Sequence, residues 1–295
     1  MEKDQLLNES LTAKLDRFHM RTRMIVEGFM VGLHKSPYHG FSVEFADHRQ
    51  YMPGDAIRNV DWKVYAKTNR WYVKRYEEET NVRTFIILDH SKSMQYGSGD
   101  ITKLDYTKQL ASALAYLVVQ QQDAAGLITY TDKVTNYLPP KAYRSYVSIL
   151  LQKLMVLEPQ EQTHTLAVLH GLAEQIRKRS LIIMISDMID DPDAILSGLN
   201  HFRYSHHEVI LFHIQDPQEV NFNFKGETEF IDKETGQKVT VMPWQIRNNY
   251  RQAYDAFSKY LKVKCHQSNI EYNEITTSTP IEDSLLQYLI KRSRL

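Results

Sequence analysis

The sequence predicts an α/β protein built on a doubly wound, mostly parallel sheet, with a helix and a small β-rich subdomain ahead of it. Three observations lead there. From residue 82 onward, short apolar runs alternate with helix-length amphipathic segments, the pattern of a parallel sheet covered on both faces. Two of those runs, Thr84-Phe85-Ile86-Ile87-Leu88 and Leu181-Ile182-Ile183-Met184-Ile185, read as strands buried on both faces. The first stops at Asp89 and the second runs into Asp187. In an open α/β sheet, ligands bind beyond the carboxyl ends of the strands, which makes these two carboxylates the first candidates for a site.

The elements follow in order. Leu7, Leu11, Leu15, Phe18, Ile25 and Phe29 recur at three- to four-residue spacing, so residues 5–33 read as a helix with one apolar face. Residues 34–80 contain Pro37, Gly40, Pro53 and Gly54 between short extended runs, 41–45 and 71–76, and read as β-rich. Within them Tyr51-Met52-Pro53-Gly54-Asp55 is a turn, because proline presets the first central dihedral and glycine accepts the positive φ of type II. After the strand ending at Asp89, helices are expected over 104–121, 143–156, 166–177, 192–202, 246–265 and 281–290. Strands are expected over 124–130, 181–187, 208–214 and 270–276, with 134–138 pairing back on 124–130. Asp232-Lys233-Glu234-Thr235-Gly236 reads as the turn of a β-hairpin inserted at about 216–242. The expected division is 1–80 for the helix and β-rich subdomain, and 81–295 for the sheet domain.

Composition narrows the function. Lys+Arg and Asp+Glu both number 36, so the formal net charge is zero. That argues against nucleic-acid binding through a general basic surface, which needs an excess of lysine and arginine. The one cysteine, Cys265, permits no intrachain disulfide and reads as a buried helix residue in a reducing compartment. The longest apolar stretch, Leu110 to Val119, is shorter than the roughly 20 residues of a membrane span. The charged start, Met-Glu-Lys-Asp-Gln, lacks a signal-peptide core, and a soluble cytoplasmic protein is expected.

The chemistry lies in Asp89-His90-Ser91-Lys92-Ser93. One carboxylate and two hydroxyls at alternate positions are hard oxygen donors, suited to Mg²⁺ rather than to zinc or copper. Gln162-Thr163-His164-Thr165 precedes a helix, where a hydroxyl can point at the same edge or cap the helix. Asp187 reaches that edge if its strand lies near the first. The plainer reading of these residues is helix capping and loop hydrogen bonds without a metal. His206 and His207 are adjacent on an extended chain, point to opposite faces, and read as ordinary. No Gly-x-x-x-x-Gly-Lys-Ser/Thr run supports nucleotide binding.

Asp89-x-Ser91-x-Ser93, Thr163 in its Thr-His-Thr turn, and Asp187 ending a later strand resemble the metal-ion-dependent adhesion site (MIDAS) of von Willebrand factor type A domains. The resemblance implies a Rossmann-like fold and a Mg²⁺ (or Mn²⁺) ion held by Asp89, Ser91, Ser93, Thr163 and Asp187. Tyr51-x-Pro53-Gly54-Asp55-x-x-Arg58-x-x-Asp61-Trp62-Lys63, followed by that triplet, is similar to the DUF-58 family of bacterial proteins. Members of that family often accompany MoxR-type AAA+ ATPases, which implies a non-enzymatic adaptor or chaperone-like role and a partner that offers an acidic residue to the metal. Asp55, Arg58, Asp61 and Trp62 read first as an ion-pair and packing cluster, with a partner-docking surface as the functional alternative. Two further readings stay open. A metal-dependent phosphoryl-transfer enzyme would use Asp89 as acceptor, although the second carboxylate such enzymes carry two positions on is here Ser91. A degenerate scaffold would bind no metal.

Overall fold

The computed structural model describes residues 16–26, 42–52, 60–79, 82–160, 165–231 and 238–292. Residues 16–26 form helix α1, the described part of the helix expected over 5–33. Strands β1 (Ser42–Gln50) and β2 (Tyr72–Glu79) pair antiparallel, with a bulge between Phe45 and Asp47. Between them lies a short helix, α2 (Trp62–Thr68), which the reading of residues 34–80 as β-rich does not include. Its cause is local. The Asp61 carboxylate accepts from the backbone N–H groups of Lys63 and Val64 at 2.9 and 3.2 Å, so this aspartate serves as an N-cap. Trp62 is half exposed, and its ring meets Tyr65 and Trp71 edge-on at 6.1 and 5.6 Å. Tyr51 adds a ring contact with Trp71 at 5.9 Å. Pro53, Gly54, Asp55 and Arg58 lie outside the described residues, and with them the expected turn.

By compactness the chain divides into Pro37–Val82 and a second unit of Met1–Ser36 with Arg83–Leu295. The N-terminal helix thus counts with the sheet unit rather than with the β1–β2 segment. Ile25 and Val26 are buried, and Arg23 lines a small cavity together with Tyr116, Val119 and Val147 of that unit.

The larger unit shows the expected alternation. Strand β3 (Arg83–Asp89) leads through a single 3-10 turn (Lys92–Gln95) to helix α3 (Lys103–Gln120), then β4 (Ala124–Tyr130) and β5 (Val134–Lys141). Helices α4 (Arg144–Met155) and α5 (Thr165–Gln175) precede β6 (Leu181–Ser186), α6 (Pro192–Tyr204) and β7 (Glu208–Gln215). Then come α7 (Pro217–Asn221) and a separate antiparallel pair, β8 (Thr228–Ile231) with β9 (Lys238–Val241). The chain closes with α8 (Pro243–Gln267), β10 (Glu271–Thr276) and α9 (Ile281–Arg292). Residues 216–242 therefore hold a capped helical turn as well as a hairpin. The turn expected at Asp232–Gly236 lies outside the described residues.

The sheet order is β10-β7-β6-β3-β4-β5, parallel except for edge strand β5. Counting sheet strands along the chain, this is the doubly wound order 3-2-1-4-5-6 with its direction of growth reversing between β3 and β6. Pro139 and Pro140 sit on β5, where a strand at the rim tolerates the missing N–H donors. The continuous apolar runs are explained by two-sided burial: Phe85 to Leu88 and Ile182 to Ile185 are all 1% exposed or less. One face of the sheet packs on α5, α6 and α8, through Leu169, Leu172, Ile195, Leu199 and Leu261 among others.

Helices α5 and α6 approach closely because Gly198 has no side chain. A Cβ there would stand 2.7 Å from Leu169 Cβ, an atom fixed to its own backbone. Gly171, on the same helix pair, faces open space. Replacing a helical glycine by alanine gains about 1 kcal/mol of propensity, whereas overpacking costs about 1–3 kcal/mol. Urea denaturation is therefore expected to show Gly171→Ala more stable than the parent by about 0.5–1 kcal/mol and Gly198→Ala less stable by about 1–2 kcal/mol. Equal midpoints for the two variants would contradict this packing.

Candidate functional site

Where β3 and β6 part, the switch point opens a crevice. The two strands are hydrogen-bonded neighbours with Leu88 opposite Ile185, which brings the chain just past them, Asp89 and Ser186, face to face. Ser186 Oγ donates to Asp89 Oδ2 at 2.8 Å, and the Ser91 N–H donates to Asp89 Oδ1 at 2.8 Å. Ser91 Oγ and Ser93 Oγ lie 2.9 Å apart, and the Ser93 hydroxyl lies close to the Asp187 carboxylate. Asp89, Ser91, Ser93 and Asp187 thus form one connected oxygen cluster. Thr163 and His164 lie outside the described residues. Thr165 opens α5, buried, against the wholly buried Tyr130 hydroxyl, which lies near Asp89 and Ser186.

The loop is rigidly seated. His90 donates from Nδ1 to the Glu158 carbonyl at 2.8 Å, and its Nε2 lies 2.8 Å from the Thr135 hydroxyl. Gln160 N–H donates to the His90 carbonyl at 3.0 Å. On the far wall, Asp187 Oδ1 accepts from Ile189 N–H at 3.2 Å, and Met188 takes a left-handed φ of 56°. Such a conformation is costly for a side chain without a local hydrogen bond and is held by its surroundings. The helix after it is capped by Asp191, not by Asp187.

Sequence reasoning missed the cation in this crevice. Lys103, the first residue of α3, is 0% exposed; its Nζ lies 2.8 Å from Asp187 Oδ2 and 2.6 Å from Glu219 Oε1. Glu219 is itself fixed, closing a capping box with Asp216 at the start of α7. A signal existed in the helical phase, because Lys103, Tyr106, Thr107, Leu110 and Leu114 share the buried stripe of α3. A lysine on that stripe must find carboxylates.

The electrostatics of the two aspartates diverge. Burial pushes the Asp89 carboxyl up, Asp187's charge adds to it, and the pKa reaches about 7 despite the hydrogen bonds from Ser91 and Ser186. Burial also pushes Asp187 upward, but the Lys103 ammonium reverses this and holds it below the ordinary carboxylate range. His213, beneath the crevice, is held neutral by burial, its pKa lowered to about 4. Among the described residues no lysine, arginine or histidine nitrogen forms a salt bridge with Asp89, nor do three His, Cys, Asp or Glu residues form a metal cluster.

The mostly parallel sheet with helices on its faces and this oxygen-lined crevice at its switch point define a doubly wound α/β domain. More particularly, a family model described as "Protein of unknown function DUF58" matches residues 47–260, and the chain belongs to that family. Uncharacterized proteins of Mycobacterium bovis and Mycobacterium tuberculosis are 24% identical to it over 229 residues, covering 77% of this chain and 72% of theirs. Among solved structures, an aerotolerance-related membrane protein of Bacteroides fragilis matches with TM-score 0.49 and 16% identity, over 73% of this chain and all of that one. BatB of Bacteroides thetaiotaomicron matches with TM-score 0.46 and 14% identity, over 73% and 100%. The SpRpn10 VWA domain matches with TM-score 0.42 and 14% identity, over 69% and 93%. Among the described residues, no helix is long and apolar enough to cross a membrane.

Two outcomes follow from the charges. Asp89 binds its proton more tightly folded than unfolded, so its ionisation penalty is absent below about pH 4 and grows as pH rises through about 7. In chelator, Asp89→Asn is expected to be more stable than the parent by about 4 kcal/mol at pH 8 and indistinguishable from it near pH 4. Chemical denaturation across that range checks it, and a pH-independent difference would count against the assignment. Lys103→Met leaves two carboxylates with no counter-charge and is expected to cost about 3–5 kcal/mol. Adding Asp187→Asn to that variant is expected to recover part of the loss in the same assay.

Proposed function

We propose that this chain is a non-enzymatic protein-interaction module whose docking depends on a divalent cation at the switch-point crevice. The observation that carries this reading is the convergence of Asp89, Ser91 and Ser93 beside Asp187, with Asp89 wholly buried and given no cation among the described residues. The donor set suits a hard cation such as Mg²⁺ or Mn²⁺. Each Asp89 oxygen accepts one hydrogen bond from Ser91 or Ser186 and retains a second lone pair. Asp89, Ser91 and Ser93 would hold the ion, with Asp187 beside it and Thr163 as the hydroxyl from the third loop. Bound there, the ion supplies positive charge that links protein oxygens to an acidic group on a partner. The family resemblance points to a MoxR-type AAA+ ATPase as that partner, in the assembly or activation of other proteins.

The protein's own residues set the conditions. His90 and Gln160 lock the loop, so the hydroxyls are presented without an ordering cost on binding. Asp89 must give up its proton to serve as a ligand, so affinity for the ion rises with pH. Calorimetry is expected to detect Mg²⁺ or Mn²⁺ binding that is about tenfold tighter at pH 8 than at pH 6, with proton release, and absent in Asp89→Ala. Equal affinity in that variant would remove the metal from this reading. A pull-down in Mg²⁺ and in chelator, with wild type and Asp89→Ala, then identifies the partner.

A further inference from the structure

Beside the oxygen cluster, a cavity of about 350 Å³ opens between the loop after β6, the end of β7, α7 and one face of α8. Its two sides differ in character. Tyr250, Tyr254 and Phe257 recur at helical spacing and make one aromatic wall; the Tyr250 and Tyr254 rings lie nearly parallel, 5.9 Å apart. Asp187, Asp190 and Glu219 contribute carboxylates from the other side. Neither lysine nor arginine is among the described lining residues. Among the described residues the ammonium that reaches these acids is that of Lys103, already shared by Asp187 and Glu219, so three negative charges against one positive leave an excess of two.

We infer that this cavity receives the guanidinium group of an arginine side chain presented by a protein partner. An aromatic wall facing carboxylates attracts a cation twice, through the ring quadrupoles and through charge. Among cations the guanidinium suits it best, because it is planar, stacks on rings, pairs bidentately with carboxylates and sheds its water more readily than an ammonium. A metal ion is poorly matched to walls that are largely carbon. The volume lies near the bottom of the range for small-molecule sites, room for one long side chain and little more. The inference rests on the reading of the chain as a protein-interaction module but not on its cation, and it specifies a partner surface with a basic residue close to its acidic one.

The test is a titration of the full chain with N-acetyl-arginine amide in chelator, followed by methyl NMR at Met188, Ile189 and Ile214, which border the cavity. Saturable shifts confined to these methyls are expected, with weaker binding of the lysine amide and none of the leucine or glutamate amides. Asp190→Asn, at an exposed position, and Tyr254→Ala should each weaken arginine binding by about fivefold or more, the equivalent of roughly 1 kcal/mol. Unchanged methyl dispersion verifies that each variant is folded, and the surface change at Asp190 stands as a separate arm. The leucine or lysine amide binding as tightly as arginine, affinity unmoved by both substitutions, or no saturable shift would each overturn the proposal. Chelator is present throughout, so the result is independent of the Mg²⁺ calorimetry, which succeeds or fails separately.

Discussion

The crevice is organised around the Lys103 ammonium, which has no access to solvent and bonds at once to Asp187 after β6 and Glu219 in α7. Burying a charge is expensive, and a buried pair gains little over a well-packed apolar core. What the arrangement does provide is position. One nitrogen at the start of α3 ties together the chain after two neighbouring strands, and it fixes the rotamer of Asp187 toward the oxygen cluster. The capping box that holds Glu219 extends the same constraint to α7.

That single ammonium also divides the acidic residues into two kinds. Asp187 is compensated and stays ionised, whereas Asp89, bonded by Ser91 and Ser186, receives only neutral donors among the described residues. The imbalance leaves negative potential at both ends of the crevice, one lined by oxygen and the other by aromatic rings. On the readings proposed above, a hard ion and a soft planar cation are the two chemistries those linings suit.

The sheet was legible because its signals are local. Runs such as Phe85 to Leu88 announce two-sided burial, and Asp89 and Asp187 mark where those runs end. That β3 lies beside β6, with the chain reversing its direction of growth there, depends on strand pairing that no local pattern encodes. Helix α2 escaped because Asp61 was read as one charge in a cluster, when its place before Trp62-Lys63-Val64 made it a cap. Lys103 escaped because lysine is normally a surface residue, and only its phase on α3 sets it apart. Ser186 and Tyr130 are strand residues whose side chains acquire meaning only from the neighbour across the sheet.

The hydrogen bond between Ser186 and Asp89 spans 97 positions of chain. Contacts of that separation form late, after the entropy of closing a long loop has been overcome. During synthesis the triplet Asp89-His90-Ser91-Lys92-Ser93 emerges well before β6 and has no crevice to belong to. The docking surface proposed for the crevice therefore comes into being only when the two halves of the sheet have joined, and a partner that recognised it would distinguish a finished molecule from an unfinished one.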